Sequence, residues 1–581
     1  MITTRSEVQD GMRIDWNVEI EMDDGNVLRA DVFRPIAEGK YPVIMSYGPY
    51  GKGYSFQEGY PNAWEKMVTD YPEILHGSTN KYQSWEVVDP EKWVPDDYAI
   101  VRVDSRGAGC SPGILEKFSA REHQDFYQCI EWAGVQPWSN GKVGLNGISY
   151  YGVSQWFVGS LQPPHLAAMC VWEGYTDWYR DSSHHGGILN NAMERGWIER
   201  QLKVVQYGRG LRGPRSVVTG EPTCGEVTLS EKELAENFYD HAEAALEHPL
   251  DDEFYRPRQP KYDKITYPLL ACSNWGGPLH CRGTIEGFVR AASEQKWLEI
   301  HGDAHQSLFY ANYGISLQKR FFDYFLKGKD NGWDKQPKVQ LQVRHIDETF
   351  VERHEDEWPI ARTEWTKFYL HPNRQLSKNP PGESKKIDFE AMGEGLVFLT
   401  DPFEKETEIT GPAAAKLFAS SSTTDADFFL VLRLFSAEML ECFWQGSVDP
   451  NTPVDFGWLR ASHRKLDPEL STFYRPYHTH DEVQPLQPGV PIELDVELWP
   501  TSIVVPAGYR IGLSIRGKDY RNTKKSSGIK LSHFRNEMVG TGPFLHNDPL
   551  DRKPGIFDGT TTIHIDPDNA PYLLLPVIPE K

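Results

Sequence analysis

Val143-Gly144-Leu145-Asn146-Gly147-Ile148-Ser149-Tyr150-Tyr151-Gly152 is the stretch on which the reading of this chain turns. A short apolar run suited to a buried parallel strand ends at Gly147, and a helical stretch opens at Tyr150 and continues through Ser160. A serine at such a strand-to-helix turn has the setting of a nucleophile elbow. The tight turn lifts the Ser149 hydroxyl off the sheet, and the flanking glycines let strand and helix approach. The Tyr150 N–H is then aimed where an oxyanion would form. A glycine-rich turn with an incidental serine is the plainer alternative, and the strand and helix on either side argue against it.

Outward from this turn the chain alternates strand and helix. Residues 42–46, 98–103, 166–172, 267–273 and 297–301 are short apolar runs. Between them Phe126, Ile130 and Ala133 keep helical spacing, and 315–327 sets Leu317, Phe321 and Phe325 on one helical face. Such alternation predicts a parallel sheet covered by helices, an α/β class. Upstream, Ile14, Trp16, Val18 and Ile20 share a strand face, and Asp24-Gly25-Asn26 predicts a hairpin into the strand at 27–35. The polar segment 174–262, helix-like at 190–205 and 230–247, interrupts the alternation and reads as an insertion. After about Gln336 short strand candidates at 339–344, 366–370, 415–419, 428–434, 492–498 and 510–515 are punctuated by Pro and Gly. That texture predicts an all-β sandwich or jelly roll.

Length and composition agree with this division. At 581 residues the chain exceeds what one core serves, so two or three domains are expected. With 39% hydrophobic and 12% aromatic residues, disorder is excluded. The 61 basic and 83 acidic residues leave a net charge of −22, which repels phosphate backbones and argues against nucleic acid as a partner. No stretch reaches the roughly 18 apolar residues of a membrane span, and residues 1–6 lack the apolar run of a signal peptide. Cys110, Cys129, Cys170, Cys224, Cys272, Cys281 and Cys442 are scattered, odd in number and without a C-x-x-C pair. Reduced thiols in a cytoplasmic protein, with no structural zinc and no membrane partner, are the expectation.

The motifs carry a further signal. Residues 138–152, Val103-Asp104-Ser105-Arg106-Gly107-Ala108-Gly109-Cys110-Ser111-Pro112-Gly113 and Pro49-Tyr50 resemble the cocaine-esterase-like (CocE/NonD) family of α/β hydrolases. That family is related to α-amino acid ester hydrolases and X-Pro dipeptidyl peptidases. Trp358-Pro359, Gly411-Pro412 and residues 506–515 extend the resemblance into the β region. It implies an α/β-hydrolase core (1–173 and 263–336), an inserted helical cap (174–262) and a C-terminal jelly roll (337–581).

The resemblance also implies site residues. Ser149 is the expected nucleophile, and His305, in the loop after the strand at 297–301, the expected general base. Tyr50 matches the family tyrosine that pairs with the Tyr150 N–H as the second oxyanion donor. The acid departs from the pattern: Asn274-Trp275-Gly276-Gly277 puts Gly277 where the family carries Asp. Glu173, at the end of a neighbouring strand, is the favoured replacement, with Asp177 or no carboxylate as alternatives.

Other candidates read as structural. Asp104 and Arg106 are expected to brace their loop, since no phosphate-binding glycine pattern follows. The spacing His301-x-x-x-His305 spans Gly302 and suits a loop better than a helical metal site. His478 and His480 lie in the β region away from the predicted crevice, and His184 and His185 are expected to be partly solvated. The expected activity is therefore a serine hydrolase cleaving a small-molecule ester or amide through an acyl-enzyme, with no cofactor and no metal. An X-Pro-type peptidase is one alternative, and a binding protein decayed from the same scaffold is another. Homo-oligomerisation is open, because sheet edges and cap helices can both self-associate.

Overall fold

The computed structural model describes residues 4–276, 279–522 and 538–580. Its first sheet begins with β1 (Arg5–Gln9), β2 (Met12–Glu21) and β3 (Val27–Pro35), paired antiparallel. Gly25, at φ 80°, closes the β2–β3 hairpin expected from Asp24-Gly25-Asn26. A bulge at Asn17 interrupts the alternation, so Ile14, Trp16 and Ile20 are buried while Val18 is only half-buried.

The rest of the sheet adds β4 (Tyr41–Gly48), β5 (Ala99–Asp104), β6 (Ser139–Ile148), β7 (Leu166–Trp172), β8 (Leu269–Asn274), β9 (Lys296–His301), β10 (Val339–Arg344) and β11 (Phe350–Glu355). Their spatial order is β1-β2-β3-β5-β4-β6-β7-β8-β9-β10-β11. Strands β5 to β10 run parallel, and β11 closes the edge antiparallel to β10. Every residue of β4, β5 and β8 is buried, which explains their unbroken apolar runs. Strands β10 and β11 correct one expectation: residues 339–344 were assigned to the β region, yet they extend the first sheet past the boundary at 336. The register accounts for this: β10 sets Val339 beside Leu298 and Leu341 beside Ile300 of β9, and Val339, Leu341 and Val343 are buried.

Four helices matter for the site. The α1 helix (Ala120–Gly134) is N-capped by Ser119 and buries Phe126, Ile130 and Ala133. The α2 helix (Tyr150–Gly159) is buried along its whole length, as its continuous apolar sequence requires. Helix α3 (Cys281–Arg290) follows β8, and α4 (Asn312–Lys327) buries Leu317 and Phe321 and ends at Gly328 in the left-handed conformation. Segment 174–262 contains short helices and turns, among them Met193–Trp197, Glu231–Glu236 and His241–Glu247.

The C-terminal region is mostly strand. Among the described residues its sheet is built on Thr407–Ser421, which pairs antiparallel with Ile492–Val505 and Tyr572–Ile578. Leu417, Phe428, Leu432, Leu494 and Leu513 fill its own apolar core. Phe429, Val431, Trp458 and Trp499 join the core of the first sheet instead, so the two regions share an apolar contact. No helix among the described residues is long and apolar enough to cross a membrane.

Candidate active site

Ser149 stands at φ 55°, ψ −115°, a backbone conformation a non-glycine residue holds only when its surroundings impose it. They do so from both sides. Its N–H donates to the Trp172 carbonyl of β7 at 3.0 Å, and the Ile148 N–H donates to the Glu86 carbonyl at 3.0 Å. A Cβ on Gly147 would lie 2.4 Å from Tyr151 Cβ, and one on Gly152 would lie 2.9 Å from the Trp172 carbonyl oxygen. Both glycines of the motif are therefore required by close approach.

The residues expected around Ser149 divide into those that meet it and those that do not. Glu173 follows β7 and His305 follows β9, with β8 between them. Glu173 Oε2 lies 2.7 Å from His305 Nδ1, so the carboxylate reaches the ring across one strand. Its other oxygen is 3.1 Å from His301 Nε2 and accepts from Asn274 Nδ2 at 3.2 Å. Ser447 Oγ, from the C-terminal region, donates to Oε2 at 3.2 Å. Burial opposes the charge on Glu173, but His305 and His301 hold its carboxyl well below the usual range. The His301 and His305 rings thus converge on one carboxylate.

Asp177, the alternative acid, is engaged elsewhere. It pairs with Arg180 Nη1 at 2.8 Å, and the same nitrogen reaches Asp251 at 2.7 Å. That ion pair excludes Asp177 as the carboxylate on His305 in this structure. Gly277 lies outside the described residues. Asp303 accepts from the Tyr71 hydroxyl at 2.6 Å, away from His305.

Two residues at the site carried no expectation. His280, at the start of α3, places Nε2 3.0 Å from Ser149 Oγ. The expected Ser149–His305 contact is replaced by this one, because the other nitrogen of His305, Nε2, is 2.9 Å from Glu86 Oε1. The His280 ring is stacked between Tyr175 and His305, with centroids 5.4 and 5.5 Å away. Burial, and then the neighbouring His305, lower its pKa to about 3, so it is a neutral imidazole. Burial also opposes charge on His305, yet Glu173 and Glu86 together raise it to about 10. The Glu86 carboxyl is pushed up by burial to about 7, against the pull of His305.

The signals for these two residues were faint. His280 lies in the loop that lacks the family Asp, so a polar replacement there could have been sought. Glu86 sits in Ser84-Trp85-Glu86-Val87-Val88, where only a charge within an apolar run sets it apart.

Tyr50, the expected oxyanion donor, lies in the same pocket as Ser149. Tyr50 is buried at the pocket wall, and its hydroxyl accepts from Trp197 Nε1 at 3.1 Å, which leaves its own proton to donate. Burial and then Glu86 raise its pKa well above the ordinary value, so it stays a hydroxyl. The Tyr150 ring is stacked on Phe118 and its hydroxyl donates to Glu122 at 2.7 and 2.8 Å. Locked there, Tyr150 offers the site its main-chain N–H, the first of α2, which has no acceptor within the helix.

Ser149, His280, His305, Glu86 and Tyr50 line one pocket, walled by Trp85, Met193, Trp197, Leu279, Val448 and Pro543. The structural candidates fall elsewhere. Asp104 accepts from the Lys52 and Cys110 amides, and Arg106 forms a two-pronged pair with Asp125, which braces the loop. His184 and His185 are fully buried, contrary to the expected solvation: His184 stacks on Tyr179, and His185 Nδ1 lies 2.9 Å from His546 Nε2.

Comparison with known proteins accounts for this arrangement. Residues 24–307 match the family model described as X-Pro dipeptidyl-peptidase (S15 family), and 331–574 match the X-Pro dipeptidyl-peptidase C-terminal non-catalytic domain. The chain is 24% identical to the cocaine esterase of Rhodococcus sp. (strain MB1 Bresler), over 97% of this chain and 98% of that protein. An α-amino acid ester hydrolase structure shares the fold at TM-score 0.63 and 16% identity, covering 98% of each chain. A CocE/NonD family hydrolase from Staphylococcus aureus is 30% identical, covers 99% of this chain and 97% of its own, and superposes at TM-score 0.83. With that relationship across its whole length, the chain belongs to the CocE/NonD family of hydrolases and is a serine hydrolase.

Proposed function

We propose that this hydrolase cleaves a small-molecule ester or amide through an acyl-enzyme on Ser149. The observation that carries the reading is the 2.7 Å bond from Glu173 to His305 Nδ1, in the pocket where the strained turn presents Ser149. His305, with Nε2 turned from Glu86 to the nucleophile, takes the Ser149 proton as Oγ attacks the carbonyl carbon. Glu173 orients the ring and balances the imidazolium. The Tyr50 hydroxyl and the Tyr150 N–H hold the oxyanion. His305 returns the proton to the leaving oxygen or nitrogen, and water then cleaves the acyl-enzyme by the same steps.

Segment 174–262, acting as a helical cap, supplies Met193 and Trp197, and the C-terminal region, a jelly roll in this reading, supplies Val448 and Pro543. These apolar walls suit the apolar part of a small-molecule acyl group. Treatment with a fluorophosphonate followed by intact mass tests the proposal. A single adduct on the wild type that is lost in Ser149→Ala is expected. An unlabelled wild type would favour a decayed binding protein, and an equal adduct on Ser149→Ala would remove Ser149 as the nucleophile.

A further inference from the structure

A triad histidine needs one carboxylate, and His305 has two. Glu173 holds Nδ1 at 2.7 Å, and Glu86 holds Nε2 at 2.9 Å. The second contact is on the atom that must accept the Ser149 proton. Glu86 is also tied to the nucleophile through its backbone: it stands at φ 64°, and its carbonyl receives the Ile148 N–H one residue before Ser149. The residue is buried and lines the same pocket as Ser149.

We propose that Glu86 is a positioning residue of the catalytic site, whose carboxylate competes with Ser149 for His305 Nε2 and stores that proton while the ring acts as a base. The inference rests on the triad reading above. At rest the proton sits on Nε2 and is donated to ionised Glu86, while Nδ1–H is donated to Glu173. Transfer of the Nε2 proton to Glu86 Oε1 yields a neutral ring and a neutral carboxyl, with no net gain or loss of protons. The freed lone pair on Nε2 then accepts the Ser149 proton as Oγ bonds to the substrate carbonyl carbon. Nε2 passes that proton to the leaving group as its bond to the carbonyl carbon breaks. During deacylation Nε2 takes a proton from water and returns it to Ser149 Oγ. Glu86 gives its proton back when His305 returns to it. In the interval His280, 3.0 Å from Ser149 Oγ, keeps the hydroxyl from drifting out of the pocket.

The groups facing Glu86 leave its carboxyl as the one that titrates near neutrality. Behind His305 stand ionised Glu173 and the His301–Glu299 pair, with His301 raised to about 9 by Glu299 and Glu173 against its burial. His280 is neutral down to about pH 3. The hydroxyls of Tyr50, Tyr60, Tyr151 and Tyr310, which sense the Glu86 charge, are all raised by burial and stay protonated.

The test is the pH profile of kcat/KM on an activated aryl ester for the wild type, Glu86→Gln and His305→Asn. Without the Glu86 carboxylate the ring must lose its Nε2 proton to solvent while Glu173 still raises it, so the acid limb should move at least one pH unit higher. A limb that coincides with the wild type would overturn the proposal and leave Glu86 a structural brace. If Glu86→Gln does not fold, Glu86→Asp replaces it: the shortened carboxylate should move the limb in the same direction by a smaller amount, and an unmoved limb overturns the proposal equally. His305→Asn separates the two readings. A loss of about a thousandfold keeps the triad, whereas wild-type rates in that variant would end the triad reading and this proposal with it.

Discussion

Glu173 Oε2 and His305 Nδ1 are 2.7 Å apart although 132 positions separate them in the chain. The parallel sheet makes this contact. Glu173 is the first residue beyond β7, His305 lies in the loop after β9, and the intervening β8 ends at Asn274, whose side chain bridges to both Glu173 and the Asp303 carbonyl. Ends of adjacent parallel strands open into one crevice, so a carboxylate lost from one loop can be supplied from its neighbour. Glu173 stands at φ 43°, positive like that of Ser149 and uncommon for a non-glycine residue.

This contact predicts how the two candidate acids differ. Glu173→Gln keeps the shape but removes the charge that holds the imidazolium, and kcat should fall by about 10³–10⁴-fold with KM little changed. Asp177→Asn loosens the Arg180 pair instead, so its kcat should stay within a few-fold of wild type while the melting temperature drops. Steady-state kinetics and thermal melts on the two variants check both halves. Wild-type turnover in Glu173→Gln would return the acid role to another group.

Tyr50→Phe tests the oxyanion site. The phenyl ring can keep its edge contacts with Tyr150, Tyr151 and Trp197, while the donated proton is lost. One such donor contributes about 3–4 kcal/mol to the transition state, so kcat should fall by about 10²–10³-fold at nearly constant KM. A rise in KM with unchanged kcat would instead make Tyr50 a ground-state contact.

How much of this was legible follows from which interactions are local. The elbow was, because strand, glycines and helix are contiguous from 143 to 160, and the Asp24–Asn26 hairpin was for the same reason. Glu173 was reachable from sequence only through the topology of parallel strands. His280 and Glu86 were not, since each meets its partner across the chain: His280 is 131 positions from Ser149, and Glu86 is 219 from His305. No spacing rule connects residues so far apart. The same holds for β10, whose apolar alternation fits either sheet until its neighbour is known. His184 and His185 looked like surface residues because their neighbours in sequence are polar, yet His184 packs on Tyr179 and Tyr255, and His185 on Trp458, Phe544 and His546, more than 250 positions downstream in the C-terminal region.

His280→Phe isolates the hydrogen bond on the nucleophile. The phenyl ring preserves the stack between Tyr175 and His305 and deletes only the nitrogen 3.0 Å from Ser149 Oγ. A single such bond contributes about 1 kcal/mol net, so kcat/KM should fall roughly five- to tenfold and fluorophosphonate should still label Ser149. A thousandfold loss would transfer the base role from His305 to His280.

Acid should destabilise the protein through the buried histidines between segment 174–262 and the C-terminal sheet. His184, His185, His478 and His480 are all fully buried, and His463 Nδ1 lies 3.1 Å from His480 Nδ1. Burial first, and then Arg180 or Arg460 or neighbouring rings, lower each pKa from 6.5, to about 3 for His478. In the native state these rings are neutral. Above about pH 6.5 the unfolded chain holds them neutral as well, and they contribute no pH dependence. Below that value the unfolded chain binds protons that the native chain does not, so stability falls as pH drops from about 6.5 toward 3, by up to about 1.4 kcal/mol per pH unit for each ring. His301 and His305, whose pKa values are raised, act oppositely: their stabilisation is intact below 6.5 and is lost progressively as pH rises from there to about 9 and 10. Through these rings urea midpoints should therefore decline as pH rises above about 7 and fall on the acid side from 6.5 to 5. His478→Asn should reduce that slope by about one proton, because one proton-binding group has been removed from the unfolded chain and none from the native one. An identical slope in the variant would mean that His478 is already protonated in the folded protein.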